Sequence, residues 1–179
     1  MELPQSTEWA LHCCWLLAQT DEGVVLSRRR LAEFFELPEP YLAKVLKQLV
    51  DGGILTSVPG AGGGYRLGRP ASQLTALQVV TAIDGGGSLF HCTEIRQRGP
   101  VGLTAEQCTQ PCGIARVMHE AELAWRRQLA ATTVADLIEN AASASQARAA
   151  RWLGPLARPE IAGRAHQQPS GNERKKESR

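Results

Sequence analysis

The chain has 179 residues, 43% of them apolar but only 5% aromatic, with a formal net charge of +2. That length and apolar content point to one small domain with an extension. No apolar run of about 18 residues or more occurs, and the N-terminus lacks a basic-then-apolar leader pattern, so no membrane span and a cytoplasmic location are expected. In that compartment the five cysteines are expected as metal ligands, reactive thiols or core residues rather than as structural disulfides.

The first predicted element is a helix capped at Ser6 or Thr7 and running to about Gln19, with Glu8 in its first turn. It is apolar almost all round, through Trp9, Ala10, Leu11, Cys13, Cys14, Trp15, Leu16 and Leu17, which predicts burial on every side, between its own domain and a partner chain. Glu8 and His12, four apart, form its one polar stripe. Cys13 and Cys14 are expected in the core.

Ser27 is expected to cap a second helix, Arg28 to Glu36, with Leu31, Phe34 and Phe35 turned inward. Leu37-Pro38-Glu39-Pro40 makes a turn, because each proline disfavours helix in the residue before it. A third helix from Pro40 or Tyr41 carries Leu42, Val45, Leu46, Leu49 and Val50 at helical spacing and stops at Gly52-Gly53. Two short helices around a tight turn read as a helix-turn-helix. Residues 54–58 and 65–67 then pair as strands around the glycine-rich tip Pro59 to Gly64, which makes a wing.

In this architecture the second helix of the pair enters the major groove, and here it offers Tyr41, Lys44, Lys47 and Gln48 to base edges and phosphates. Arg28, Arg29 and Arg30 are placed to grip the backbone. In the wing, Gly63 allows close approach and Arg66 supplies charge. Double-stranded DNA is the expected partner. A single winged helix makes few contacts, so a homodimer on a two-fold operator is expected.

Thr75 and Gln78 form a capping box opening a helix that ends at Gly85-Gly86-Gly87. A loop from about Leu89 to Pro111 holds Cys92 and Cys108 and leads into Cys112. Beyond it, Ile114, Val117, Met118, Ala121, Trp125 and Leu129 set one apolar stripe on a helix of about five turns, the expected dimer surface. Thr133 and Asp136 cap a short last helix, Val134 to Asn140. The expected fold is mainly α with a small β-wing: a winged helix-turn-helix plus a long dimerisation helix. Its expected divisions are a DNA-binding domain (1–87), a cluster-binding loop (88–112), dimerisation helices (113–145) and a C-terminal extension (146–179) disordered from about residue 154. That tail has no apolar period. It carries six basic and three acidic residues from Arg158 onward, leaving the body at about −1.

Three stretches resemble the Rrf2 family of bacterial regulators: Leu31-Ala32-Glu33 through Pro40-Tyr41-Leu42 with Leu46 and Leu49; Gly53-Ile54-Leu55-Thr56-Ser57 with Gly63-Gly64-Tyr65 and Leu67; and Thr133-Val134-Ala135-Asp136-Leu137. The resemblance covers residues 1–140. It implies a transcriptional regulator with an iron–sulfur cluster at its cysteine loop. Pro59 stands where the family wing usually has arginine. Cys92 and Cys108 are more widely separated than is usual, and Ala115 occupies the place of a family histidine ligand.

Soft thiolates suit such a cluster, and Cys112, after Pro111 at a helix start, is favoured as a thiolate. The resemblance implies Cys92 and Cys112 as ligands. With only those two, the remaining ligands come from elsewhere, and Glu8 and His12 are the candidates. That set resembles the redox-sensing [2Fe–2S] branch of the family, with Trp9 as a relay of cluster charge into helix packing. Three alternatives stay open: a nitric oxide-sensing [4Fe–4S] repressor using Cys92, Cys108 and Cys112; a metal-free switch of Cys108 with Cys112; and a zinc-stabilised module. His91 and His119 are the runners-up for ligation. No nucleophile–base constellation or phosphate-cradling loop points to an enzyme.

Overall fold

The computed structural model describes residues 3–158. Seven helices and one two-stranded sheet follow in chain order: α1 (Gln5–Leu17), α2 (Arg28–Phe35), α3 (Glu39–Asp51), β1 (Leu55–Val58), β2 (Gly64–Leu67), α4 (Ala76–Asp84), α5 (Gly113–Ala131), α6 (Val134–Glu139) and α7 (Ser143–Leu153). The expected class, mainly helical with a small β-wing, is what the chain forms.

Helix α1 is the hub. Ala10, Cys13, Cys14, Leu16 and Ala18 are fully buried, and the helix packs on α3, α4, α6 and β2. Its own chain therefore covers most of it. It begins earlier than the Ser6/Thr7 cap predicts: Pro4 stands at the N-cap with φ −63°, an angle its ring fixes, and no side chain caps the helix. Burial pushes the Cys13 thiol up to about 12 and raises Cys14 likewise, so both are protonated core residues.

Local chemistry accounts for the other boundaries. The Ser27 hydroxyl accepts the Arg30 N–H at 3.2 Å and opens α2. Thr75 and Thr133 each form the reciprocal capping box expected of them, with Gln78 and Asp136. These two caps lie back to back. Ala76 N–H donates to Thr132 and Val134 N–H to Leu74, both at 2.8 Å, which ties α4 to α6. In the wing, β1 and β2 pair antiparallel with Leu55 opposite Leu67 and Val58 opposite Gly64. A side chain at Gly64 would collide with the Leu26 carbonyl, whose residue bridges to Tyr65 as a third short edge.

The C-terminal extension departs from expectation. Residues 143–153 form α7, with Ala149 and Leu153 almost fully buried. The chain then turns at Gly154, where Asp21 N–H donates to the Leu156 carbonyl and Arg158 N–H to that of Gln19. Disorder from residue 154 is thus corrected as far as Arg158. The alanine-rich run has strong helix propensity, and Arg148 and Trp152 reach from it to Phe34 and Arg30 on α2. The remainder of the tail lies outside the described residues.

Candidate DNA-binding face and thiol site

The helix-turn-helix presents part of the predicted basic set to solvent. Tyr41 is 69% exposed, and Lys44 and Lys47 lie on the same outer side of α3. Arg28 pairs with Glu39 at 2.8 Å, Arg29 with Glu33 at 2.8 Å and Lys47 with Asp51 at 2.6 Å. Exposed pairs of this kind are weak, so a phosphate can replace the carboxylate. Arg66 is exposed on β2 opposite Thr56.

Three predicted contacts have other employment in the folded chain. The Arg30 guanidinium lies 4.5 Å from the Trp152 ring centre and donates to the Trp152 carbonyl at 3.4 Å. Gln48 turns inward and donates to the Ile83 carbonyl at 3.4 Å, toward α4 rather than outward to a base. Gly63 is required by the hairpin itself, because a side chain there would strike the Val58 carbonyl. The free protein thus holds Arg30 and Gln48 away from the outer face.

Two short 3-10 turns, Ile95–Gln97 and Ala105–Cys108, shape the cysteine loop. They bring together thiols far apart in sequence. Cys112 is the N-cap of α5, and its Sγ accepts the Ala115 N–H at 3.3 Å. That bond, with further contributions from the Ile114 N–H, the Cys92 thiol and the Arg96 charge, holds the Cys112 thiol below its ordinary range despite some desolvation. Cys92 is thus one of the groups that lower the Cys112 thiol. Arg96 is the brace sequence reasoning missed. It forms a bidentate pair with Glu94, donates to the Gln110 carbonyl at 2.9 Å, and faces both Cys108 and Cys112. An arginine two residues from a glutamate inside a cysteine loop was the available signal.

Glu8 and His12 are elsewhere. They line a groove of about 610 Å³ between α1, α2 and α7, with Trp9, Phe34, Phe35, Leu137 and Arg148 among its walls. Among the described residues, no group of three or more His, Cys, Asp or Glu side chains is close enough to hold a metal ion. His91 and His119 are exposed. One chain therefore offers two separate half-sets: soft thiols at the start of α5, and a carboxylate with an imidazole on α1. The paired, partly activated thiols fit an iron–sulfur cluster as two of its ligands, and the donor chemistry of Glu8 and His12 fits the rest.

Helix α5 leaves its predicted stripe open. Ile114 is 71% exposed, Val117 59% and Met118 41%, and Glu122 is the helix's only buried residue. Glu122 accepts from Ser88 Oγ at 2.8 Å, Leu89 N–H at 3.1 Å and Arg126 Nε at 2.9 Å, while Arg126 also donates to the Gly86 and Gly87 carbonyls. This clamp fixes where the cysteine loop leaves α4.

The Ser88, Arg126 and Leu89 hydrogen bonds hold the Glu122 carboxyl below its usual range. Its contribution to stability is therefore complete above the unfolded value of about 4.3 and fades as pH falls through the lower folded value. Glu122→Gln is expected to be less stable than wild type at pH 7, with the gap closing toward pH 3. Urea unfolding across that range checks this; a gap independent of pH would show that the charge contributes nothing.

Among the described residues, no helix is long and apolar enough to cross a membrane. Residues 3–140 match the family model described as "Rrf2: Iron-dependent Transcriptional regulator". The chain is 30% identical over 145 residues to the HTH-type transcriptional regulator NsrR of Geobacillus kaustophilus, covering 80% of this chain and 93% of that protein. The fold is shared with T. potens IscR (TM-score 0.61, 22% identity, 80% of this chain and 90% of that one). It is also shared with the oxidised form of Staphylococcus aureus CymR (TM-score 0.60, 23% identity, 79% and 99%). With a winged helix-turn-helix and a family match spanning most of its length, the chain belongs to the Rrf2 family of transcriptional regulators.

Proposed function

We propose that the protein is a homodimeric, redox-sensing regulator of transcription that holds a [2Fe–2S] cluster between two copies of the chain. Cys92 and Cys112 of one copy would supply the thiolates, and Glu8 and His12 of the other the carboxylate and imidazole. The observation that carries this reading is the separation of the half-sets: Cys112 caps the start of α5, with Cys92 acting on its thiol, whereas Glu8 and His12 share a groove on α1. A second copy would bring the missing half of the set to each cysteine loop.

When bound, such a cluster supplies a reversible one-electron change at a potential raised by its non-thiolate ligands. The protein's own residues do the rest. The Ala115 N–H and the Arg96 guanidinium stabilise negative charge on Cys112, and the Glu94–Arg96–Gln110 brace holds the loop at a fixed width. On the DNA side, Arg28, Arg29, Lys44, Lys47, Tyr41 and Arg66 are the operator contacts this reading favours. Trp9, in the wall beside Glu8, stays the candidate relay.

Anaerobic purification tests it: the expected product is a coloured protein with about two irons and two sulfides per chain. A colourless, iron-free protein with full DNA response would overturn it. A second reading has its own support, since Cys108 also faces Arg96. Three thiolates from one loop would suit a [4Fe–4S] centre, and about four irons per chain would select it.

A further inference from the structure

A continuous run of rings crosses the molecule from the α1 groove to the helix-turn-helix. The His12 and Phe35 centroids are 5.5 Å apart, tilted by 51°. Phe35 meets Phe34 edge-on at 4.7 Å and 90°, and Phe34 meets Trp152 at 5.1 Å and 64°. Two cations close the run. Arg148 lies 4.3 Å from the centre of the Phe34 ring and donates to the Phe34 carbonyl at 2.5 Å, and Arg30 lies over Trp152. From Arg30 the path is short, because Arg28, two residues earlier on α2, pairs with Glu39 in the first turn of α3. Trp152 and Arg148 belong to α7, beyond the residues 3–140 that match the family model.

We propose that Phe35, Phe34 and Trp152 are positioning residues through which whatever His12 binds sets the pose of α2 and α3 on DNA. The inference rests on the reading of His12 as a ligand. Rings move as rigid plates, and in a close-packed interior a displacement at one plate cannot be absorbed by its neighbours. His12 is exposed and Phe35 half-buried on the groove wall, but Phe34 is only 3% exposed, so a shift that reaches it through Phe35 is passed to Trp152. At the far end, Arg30 is held by both the face of Trp152 and its carbonyl. Moving Trp152 therefore moves α2 by its first turn, the end nearest the operator. Helix α7 gives this chain a rigid outer wall to the groove and a direct grip on the DNA-binding helices.

A physical route of this kind has to show energetic coupling as well as adjacency. The test is a double-mutant cycle in the full-length protein, combining His12→Ala with Trp152→Leu. It is read as affinity for a duplex that the wild-type protein selects from a random-sequence pool. In the wild-type background His12→Ala is expected to change that affinity by about fivefold or more, and in the Trp152→Leu background by less than about twofold. Trp152→Phe, which keeps an aromatic plate, is expected to restore most of the His12 effect. If leucine at 152 prevents folding, Phe35→Leu replaces it in the cycle. The same fold-change from His12→Ala in both backgrounds, or none in either, would overturn the proposal. Iron content, measured on the same wild-type preparation, judges the cluster reading separately. An iron-free protein that still shows the coupling removes the cluster and keeps the relay.

Discussion

Val117→Glu is expected to convert the protein from dimer to monomer and to weaken operator binding by on the order of 10²–10⁴-fold. The first part follows from α5. Ile114, Val117 and Met118 are each 41% exposed or more, too much apolar surface on one helix face for a chain meant to stand alone. A glutamate facing its own symmetry mate would have to be desolvated beside a second like charge. In the single chain the same glutamate would face water and, as a better helix former than valine, leave the fold intact. The second part follows from linkage: two joined winged helices engage two half-sites at the effective concentration their tether sets, and a monomer forfeits that gain. Sedimentation velocity at micromolar concentration reads the first effect, and a titration of operator duplex the second. A variant that sediments at the wild-type mass would move the dimer interface away from α5.

Where structure was legible in the sequence, the cause was local. Ser27, Thr75 and Thr133 each announce a helix within three residues, because a side-chain oxygen and an N–H in the first turn are brought together by helical geometry alone. The wing was legible for a similar reason, as a glycine-rich tip between two short apolar strands. Helix α7 was not. Its apolar face consists mainly of alanines, with Trp152 and Leu153 at the very end, and what holds it is contact with Phe34, Arg30 and the end of α1, more than a hundred residues away in sequence. Nothing within a short window carries that information.

The candidate sites divide in the same way. Exposed polar residues on α2 and α3 were legible as a set, but which of them point outward was not. Arg30 and Gln48 are consumed by Trp152 and Ile83, partners supplied by distant segments. The cysteines illustrate the other limit. Two 3-10 turns fold the loop back and Arg96 ties it to Gln110, so that Cys92 acts on the Cys112 thiol from twenty residues away. The sequence placed Cys92 and Cys112 at the two ends of the loop and left Cys108 open as a third ligand, an exchange partner or an incidental thiol.

That arrangement yields the sharpest expectation for the thiols. Cys92→Ser and Cys112→Ser are each expected to reduce bound iron from about two per chain to near zero, whereas Cys108→Ser is expected to retain the cluster and its visible spectrum. Serine keeps the size of the side chain but replaces a soft thiolate with a hard hydroxyl that is seldom ionised, so the loss reports ligation rather than packing. At position 112 the serine hydroxyl can still cap α5 by accepting the Ala115 N–H, which leaves the helix start in place and separates the metal effect from a folding effect. Cys108 differs from its neighbours in closing the Ala105–Cys108 turn, which its own backbone and the Thr104–Gln107 capping box maintain without the thiol. Its nearness to Arg96 sets how clearly the outcomes separate. If Cys108 only neighbours that brace, its serine variant shifts the absorption bands slightly and holds its iron. Loss of iron on removing Cys108, together with about four irons per chain in the wild type, would instead assign all three thiols to one [4Fe–4S] centre, whose fourth iron would take a single further ligand in place of the Glu8 and His12 pair.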